Sequence, residues 1–170
     1  MVVWDFETLQ WLFPIAATIH NLEEAFWLPG WSKHAGKFHR PVGAVEFRFA
    51  VAILTILAWI ITYLSSTEGR ESIGVYLLCA YCLAMLINVF IPHVAATIVL
   101  RRYAPGFITA LVFNLPATAL ILLSAGKNGY ITWGKFLLPA VIFIAGLIGI
   151  IPVLFKAGRM FESVFAHTKS

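Results

Sequence analysis

The sequence predicts an all-α, polytopic transmembrane helix bundle of about five spans. Three observations predict it. The 170 residues are 61% hydrophobic and only 12% charged, with a mean hydropathy of +0.88. A soluble domain is about 45–50% apolar and about 25% charged. Apolar runs of the length needed to cross a bilayer, about 20 residues, recur at 9–28, 45–64, 74–100, 106–125 and 136–155. Turn-forming clusters separate them at Leu28-Pro29-Gly30-Trp31, Ser65 to Arg70, Tyr103-Ala104-Pro105-Gly106 and Gly126-Lys127-Asn128-Gly129. The length suits one domain, 1–170.

The start, Met1 to Thr8, is acidic and lacks both the positive flank and the small-residue cleavage site of a signal peptide, so the first span is expected to be retained. That span is the least hydrophobic. The second is uninterrupted. The third is too long for a straight crossing and is expected to tilt or bend, at Pro92. Cys79 and Cys82 form a CxxC inside it, where small helix-packing residues are the expected reading rather than a redox pair. The fourth and fifth spans carry no charged residue, and the tail from Lys156 reads as an interfacial helix. Trp4, Trp11, Trp27, Trp31 and Trp133 fall near span ends, as an aromatic belt does.

Five spans put the termini on opposite sides. Lys33, Lys37, Arg40, Arg101, Arg102, Lys156, Arg159 and Lys169 gather on one side, against Arg70, Lys127 and Lys135 on the other. The positive-inside rule makes the richer side cytoplasmic, with the N-terminus outside and the C-terminus inside. The net charge of +4 then reports topology, and no nucleic-acid partner is expected.

Against this apolar background, Glu23, Glu24, Glu46, His20 and His93 stand out. An acidic or basic side chain at the centre of a spanning helix costs about 2.5–3.5 kcal/mol on insertion scales, so these groups must be compensated by one another, by water or by a metal. Counted along their spans, His20, Glu24, Glu46, His93 and Asn114 all fall in the cytoplasmic half, and coincident depth is what a shared site requires. At 100° per residue, Glu23 lies about −60° and Glu24 about +40° from His20, so the three share a helix face. A His and a carboxylate four residues apart can grip one metal, as paired histidines do in zincin helices. The string His20-Asn21-Leu22-Glu23-Glu24 is close to the inverzincin H-x-x-E-H with its last His replaced by Glu24. By that analogy His20 and Glu24 are ligands and Glu23 a general base, with Glu46 and His93 completing the shell around a divalent ion, zinc first, iron or manganese next.

The motif His20 to Glu24 near the start of a small helical membrane protein resembles the HXXEE-domain family. The run from Asn88 through His93, Thr97, Arg101 and Tyr103 to Pro105-Gly106 is similar to that family's second polar block. The resemblance marks His20, Glu23 and Glu24 as the signature and implies no known reaction.

The expected function is therefore a metal-dependent membrane enzyme, hydrolase-type first, with membrane lipid around it and a hydrophobic or amphipathic substrate: a lipid, an isoprenoid or a membrane-embedded peptide. Asn88, Asn114 and Arg101 are the expected substrate contacts. Helix-to-helix hydrogen bonding is the plainer role of the two asparagines, and lipid phosphate contact that of Arg101 and Arg102. A loop bearing Lys33, His34, Lys37, His39 and Arg40 reads as solvated, with a lid as the alternative. Two other functions compete. One is a metal-free isomerase in which His20, Glu24 and Glu46 shuttle a proton on a double bond. The other is a proton or metal-ion carrier, which asks for polar residues through the full membrane thickness; the outer halves offer little beyond Gln10, Thr18, Thr55, Thr118 and Ser124.

Overall fold

The computed structural model describes residues 5–36 and 40–167, with side chains described through 164. Every regular element among the described residues is helical. A short α1 (Phe6–Leu9) leads into α2 (Leu12–Ser32), α3 (Ala44–Thr67), α4 (Ile73–Leu100), α5 (Phe107–Lys127) and α6 (Trp133–His167). The chain is an integral membrane protein: α3, α4, α5 and the stretch Trp133–Val164 are long and apolar enough to cross a bilayer. The remaining long helix, α2, has 21 residues, about 31 Å at 1.5 Å per residue. His20, Glu23 and Glu24 lower its hydropathy, and it makes up the five.

The first span departs from expectation at both ends. Asp5 caps α1 by accepting from the Thr8 amide at 2.8 Å, and the chain restarts as α2 only at Leu12. At the far end the helix does not stop at Leu28 but runs through Pro29 and Gly30 to Ser32. Proline lacks the N–H that would bond the carbonyl four residues earlier, which is that of Ala25. Arg48 Nε, from α3, donates to that carbonyl at 3.0 Å, so the proline costs no orphaned acceptor. The tail is likewise not a separate interfacial helix, since α6 is continuous from Trp133 to His167 across Pro139 and Pro152.

Pro92 does bend α4. Residues Ile73–Asn88 are α-helical, Val89–Val94 widen into a π-helical turn in which Ile91 leaves helical geometry (φ −129°, ψ 110°), and Ala95–Leu100 resume the α-helix. A second π-helical turn, Ala110–Asn114 in α5, ends two residues before Pro116, whereas Pro92 lies within the first. Such widened turns recur at functional sites, and here both lie beside the polar cluster described below.

The main hydrophobic core lies in the half of the bundle that holds α1 and joins α1, α2, α3, α4, α5 and the start of α6 around Phe6, Phe13, Leu78, Ile121 and Phe136, all fully buried. Cys79 and Cys82 lie inside it as free thiols. Short polar links set helix register: Asn21 Nδ2 donates to Thr55 Oγ1 (2.7 Å), Trp59 Nε1 to Thr18 Oγ1 (3.1 Å), and Tyr81 Oη to the Leu54 carbonyl (3.0 Å). Trp11, Trp27 and Trp133 are exposed near helix ends, whereas Trp4 lies outside the described residues. The α2–α3 and α4–α5 connections and the end of α6 share one end of the bundle. Of the loop considered as a lid, Lys33, His34 and Arg40 are exposed, while Lys37 and His39 lie outside the described residues.

Candidate metal centre

His20 and Glu24 are one turn apart on α2, and the bend at Pro92 presents His93 to them from α4. His20 Nε2 lies 3.8 Å from one Glu24 oxygen, and His93 Nε2 lies 3.5 Å from the other. The three ligand atoms fall within 4.8 Å of one another. The imidazoles meet edge to face, with centroids 4.8 Å apart, and both rings are buried. Ligands at about 2.0–2.1 Å around a tetrahedral zinc stand about 3.3 Å apart, so closing this set on an ion asks for the three groups to draw together, by up to about 1.5 Å for the widest pair.

Each histidine has a further partner besides the Glu24 carboxylate. His20 Nδ1 lies 3.1 Å from Thr109 Oγ1. That hydroxyl spends its proton on Glu23 Oε2 at 2.7 Å, so it receives the imidazole N–H. His93 bonds the backbone carbonyl of Pro105. Metal-ligating histidines almost always donate their second N–H to a carboxylate, carbonyl or water, which fixes the tautomer and leaves the other lone pair free. At His20 that leaves the Nε2 lone pair directed inward, and His93 likewise turns Nε2 toward Glu24.

Asn88, on the last α-helical residue before the bend, sits against both. Its Nδ2 is 3.0 Å from His93 Nε2 and 3.4 Å from His20 Nε2. A half-turn of the amide exchanges its donor for its acceptor, so this side chain can satisfy two bare imidazoles or offer an oxygen to an ion. The expected substrate contact is thus in direct touch with the cluster.

Glu23 does not join the triad, although it lies one residue from Glu24. A step of 100° turns it toward the α4–α5 turn, where Oε1 accepts from the Tyr103 hydroxyl and from the Gly106 amide (2.9 Å), and Oε2 accepts from Thr109. Three donors hold the carboxylate assigned to general-base work, so its geometry is that of an anchor. Glu46 is also elsewhere. It accepts from its own Gly43 amide at 2.6 Å, capping α3, and pairs with Arg159 of α6. Asn114 is fully buried in the second π-helical turn with neither amide atom bonded to protein. Arg101, in left-handed conformation (φ 48°), ends α4 as an exposed residue. Neither lines the cavity beside the triad.

Two residues that sequence reasoning passed over shape the site. Thr109 orients His20. Gly106, at φ +87°, covers the triad so closely that a Cβ there would stand 2.6 Å from His93 Cε1, 2.8 Å from His20 Cε1 and 3.1 Å from Glu24 Cγ. Its place in a Pro-Gly turn was visible, but that the turn folds back on two imidazoles was not. The turn is fixed from α4 as well, the Ala104 amide donating to Thr97 Oγ1 at 3.3 Å.

Fold and site together define a small helical membrane protein with a buried histidine–carboxylate cluster. A family model described as protein of unknown function with HXXEE motif matches residues 11–121, and the chain belongs to that family. It is also similar, at 36% identity over 146 residues, to a Bacillus subtilis (strain 168) protein described as uncharacterized protein YrkK, covering 86% of this chain and 92% of that one. No solved structure matches.

Proposed function

We propose that this protein is a metal-dependent integral membrane enzyme, hydrolase-type, in which His20, Glu24 and His93 hold one divalent ion, zinc first and iron or manganese next. The observation that carries the reading is the tethering of both imidazoles. His20 is held through Nδ1 by Thr109 and His93 by the Pro105 carbonyl, and each turns Nε2 toward Glu24. Two imidazoles and one carboxylate are the protein ligands of many catalytic zinc sites, which keep a further position open. A divalent ion at such a site supplies Lewis acidity toward a carbonyl or phosphoryl oxygen and acidifies water. Around it, Glu23 positions His20 through Thr109, Gly106 excludes water from one face, and Asn88 orients the substrate.

The expected orientation puts the site in the cytoplasmic half of the bilayer, with the N-terminus outside and the C-terminus inside. Lys33, Arg40, Arg101, Arg102, Lys156 and Arg159 belong to the end of the bundle nearer the triad, while Arg70, Lys127 and Lys135 belong to the other, in line with the positive-inside rule. A substrate reaching this depth is apolar or amphipathic.

Elemental analysis of the purified protein tests the reading. Wild type should carry about one ion per chain, and His20→Ala or Glu24→Ala should carry almost none. A metal-free wild type whose stability is unchanged by both substitutions overturns it. One observation favours a second reading, a metal-free acid–base isomerase: the Asn88 amide can donate to both inward nitrogens and satisfy them without an ion. That reading predicts a metal-free wild type.

A further inference from the structure

Beside the triad, toward α3 and α6, lies a cavity of about 260 Å³. Its polar rim is short: His20, Asn21 and Glu24 from α2 and Asn88 from α4. Asn21 is already engaged with Thr55. Nearly all the rest of the wall is hydrocarbon, contributed by α3, α4 and α6 through residues such as Val51, Leu54, Met85, Leu147 and Ile151. Apolar cavities stay dry and take apolar guests; one of about 150 Å³ holds benzene. Scaled by volume, 260 Å³ takes about ten carbons, one chain and not two.

The way in is sideways. At the cytoplasmic end the cavity is bounded by Phe47 and Phe155, whose rings lie 6.2 Å apart, and next to them by the Glu46–Arg159 pair. Gly158 of α6 packs so tightly there that a Cβ would stand 2.7 Å from Glu46 Cα. On the flank between α4 and α6, by contrast, the lining residues Ile87, Ile91 and Ile148 are 46%, 69% and 65% exposed. In a membrane-spanning bundle that exposure is to lipid tails.

We infer that this cavity seats the hydrocarbon chain of a single-tailed lipid, admitted from the bilayer between α4 and α6, with its polar linkage held at His20, Glu24 and Asn88. The inference rests on the proposed function for what happens at the linkage, but chain binding is separable from metal binding. It narrows the substrate from any amphipathic molecule to one with a single tail, of which about ten carbons lie inside. An acyl chain and an isoprenyl chain share this chemistry.

The test uses full-length protein in lipid nanodiscs with two probes, a glycerol monoester of decanoic acid and a geranyl glycerol ether, each bearing a diazirine at the far end of the chain. Photolysis and peptide mapping should place label on cavity residues of α3, α4 and α6, and the better-labelling probe identifies the chain type. Ala84→Phe, which fills the cavity from α4, should cut labelling at least about tenfold with metal content unchanged; Leu147→Trp on α6 does the same should the first variant not fold. Label confined to outward residues such as Val141 and Val153, labelling undiminished in both variants, or equal competition by a two-tailed lipid overturns the inference. A metal-free wild type, equally stable as His20→Ala and Glu24→Ala, that labels in the cavity sinks the metal proposal alone. A metal-loaded one that does not label sinks the chain site alone.

Discussion

The hydroxyl of Thr109 accepts from His20 Nδ1 at 3.1 Å and donates to Glu23 Oε2 at 2.7 Å, so one side chain of α5 ties together two residues of α2 that are only three apart. In this arrangement the two neighbouring acids do different work. Glu24 faces the imidazoles directly, whereas Glu23 reaches His20 from behind through an intermediary.

Thr109→Val keeps the shape and removes the acceptor. Loss of an outer partner of a ligating histidine typically costs about 10–100-fold in metal affinity, and that weakening is expected here, measured by competition with a chromogenic chelator. Thr109→Ser should restore most of it. Equal affinity in all three proteins would exclude Thr109 as a positioning residue.

Gly106→Ala should be among the most damaging single-atom-scale changes in the chain. Left-handed backbone in a non-glycine residue costs about 1–3 kcal/mol, and the added carbon would meet His93 Cε1 at 2.6 Å. The expected result is a lower unfolding temperature together with loss of bound metal. Gly134→Ala is the control, because nothing lies within 4 Å of a Cβ there.

Tyr103 offers a pH signature. Partial burial first, and then donation to Glu23, push its phenol up from the ordinary 10 to about 12. The folded protein therefore favours the neutral phenol. That contribution to stability is complete below pH 10 and is lost as pH climbs toward 12. A tyrosinate absorbance titration, with Tyr103→Phe as the difference reference, should place the midpoint near 12, and Glu23→Gln should draw it part of the way back. An unmoved midpoint in Glu23→Gln would mean that Glu23 does not govern Tyr103.

Glu46 separates a latch from a ligand. Glu46→Ala and Arg159→Ala should leave metal content intact and each weaken the docking of the α6 end on α3, with the pair itself contributing up to about 1 kcal/mol. Limited proteolysis of the C-terminal turns and a double-mutant unfolding cycle measure this. Metal loss in Glu46→Ala would restore the residue to the ligand shell.

Much of this was legible beforehand because hydropathy and helix geometry act over short ranges. The five spans follow from run length, and the bend follows from Pro92. The approach of His20, Glu24 and His93 follows from spacing and depth together. What sequence concealed depends on partners far along the chain. Arg159 lies 113 residues from Glu46, and a cation in the tail reads only as a topology charge. Glu23 and Glu24 fall on the same side of a helical wheel, yet the 100° between neighbours is enough to send one to the turn and the other to the imidazoles. A lone threonine in an apolar helix, like Thr109, reads as packing. Pro29 looked like a terminator because the arginine that relieves its unpaired carbonyl comes from another helix.

The flank open between α4 and α6 carries a practical consequence for anyone isolating this protein. Common solubilising agents are themselves molecules with one short alkyl tail and a polar head, the same shape as the guest proposed for the cleft. Extraction in a decyl or dodecyl detergent would present millimolar competitor at the entrance, so chain binding should be weak in such preparations until the micelle is exchanged for bilayer.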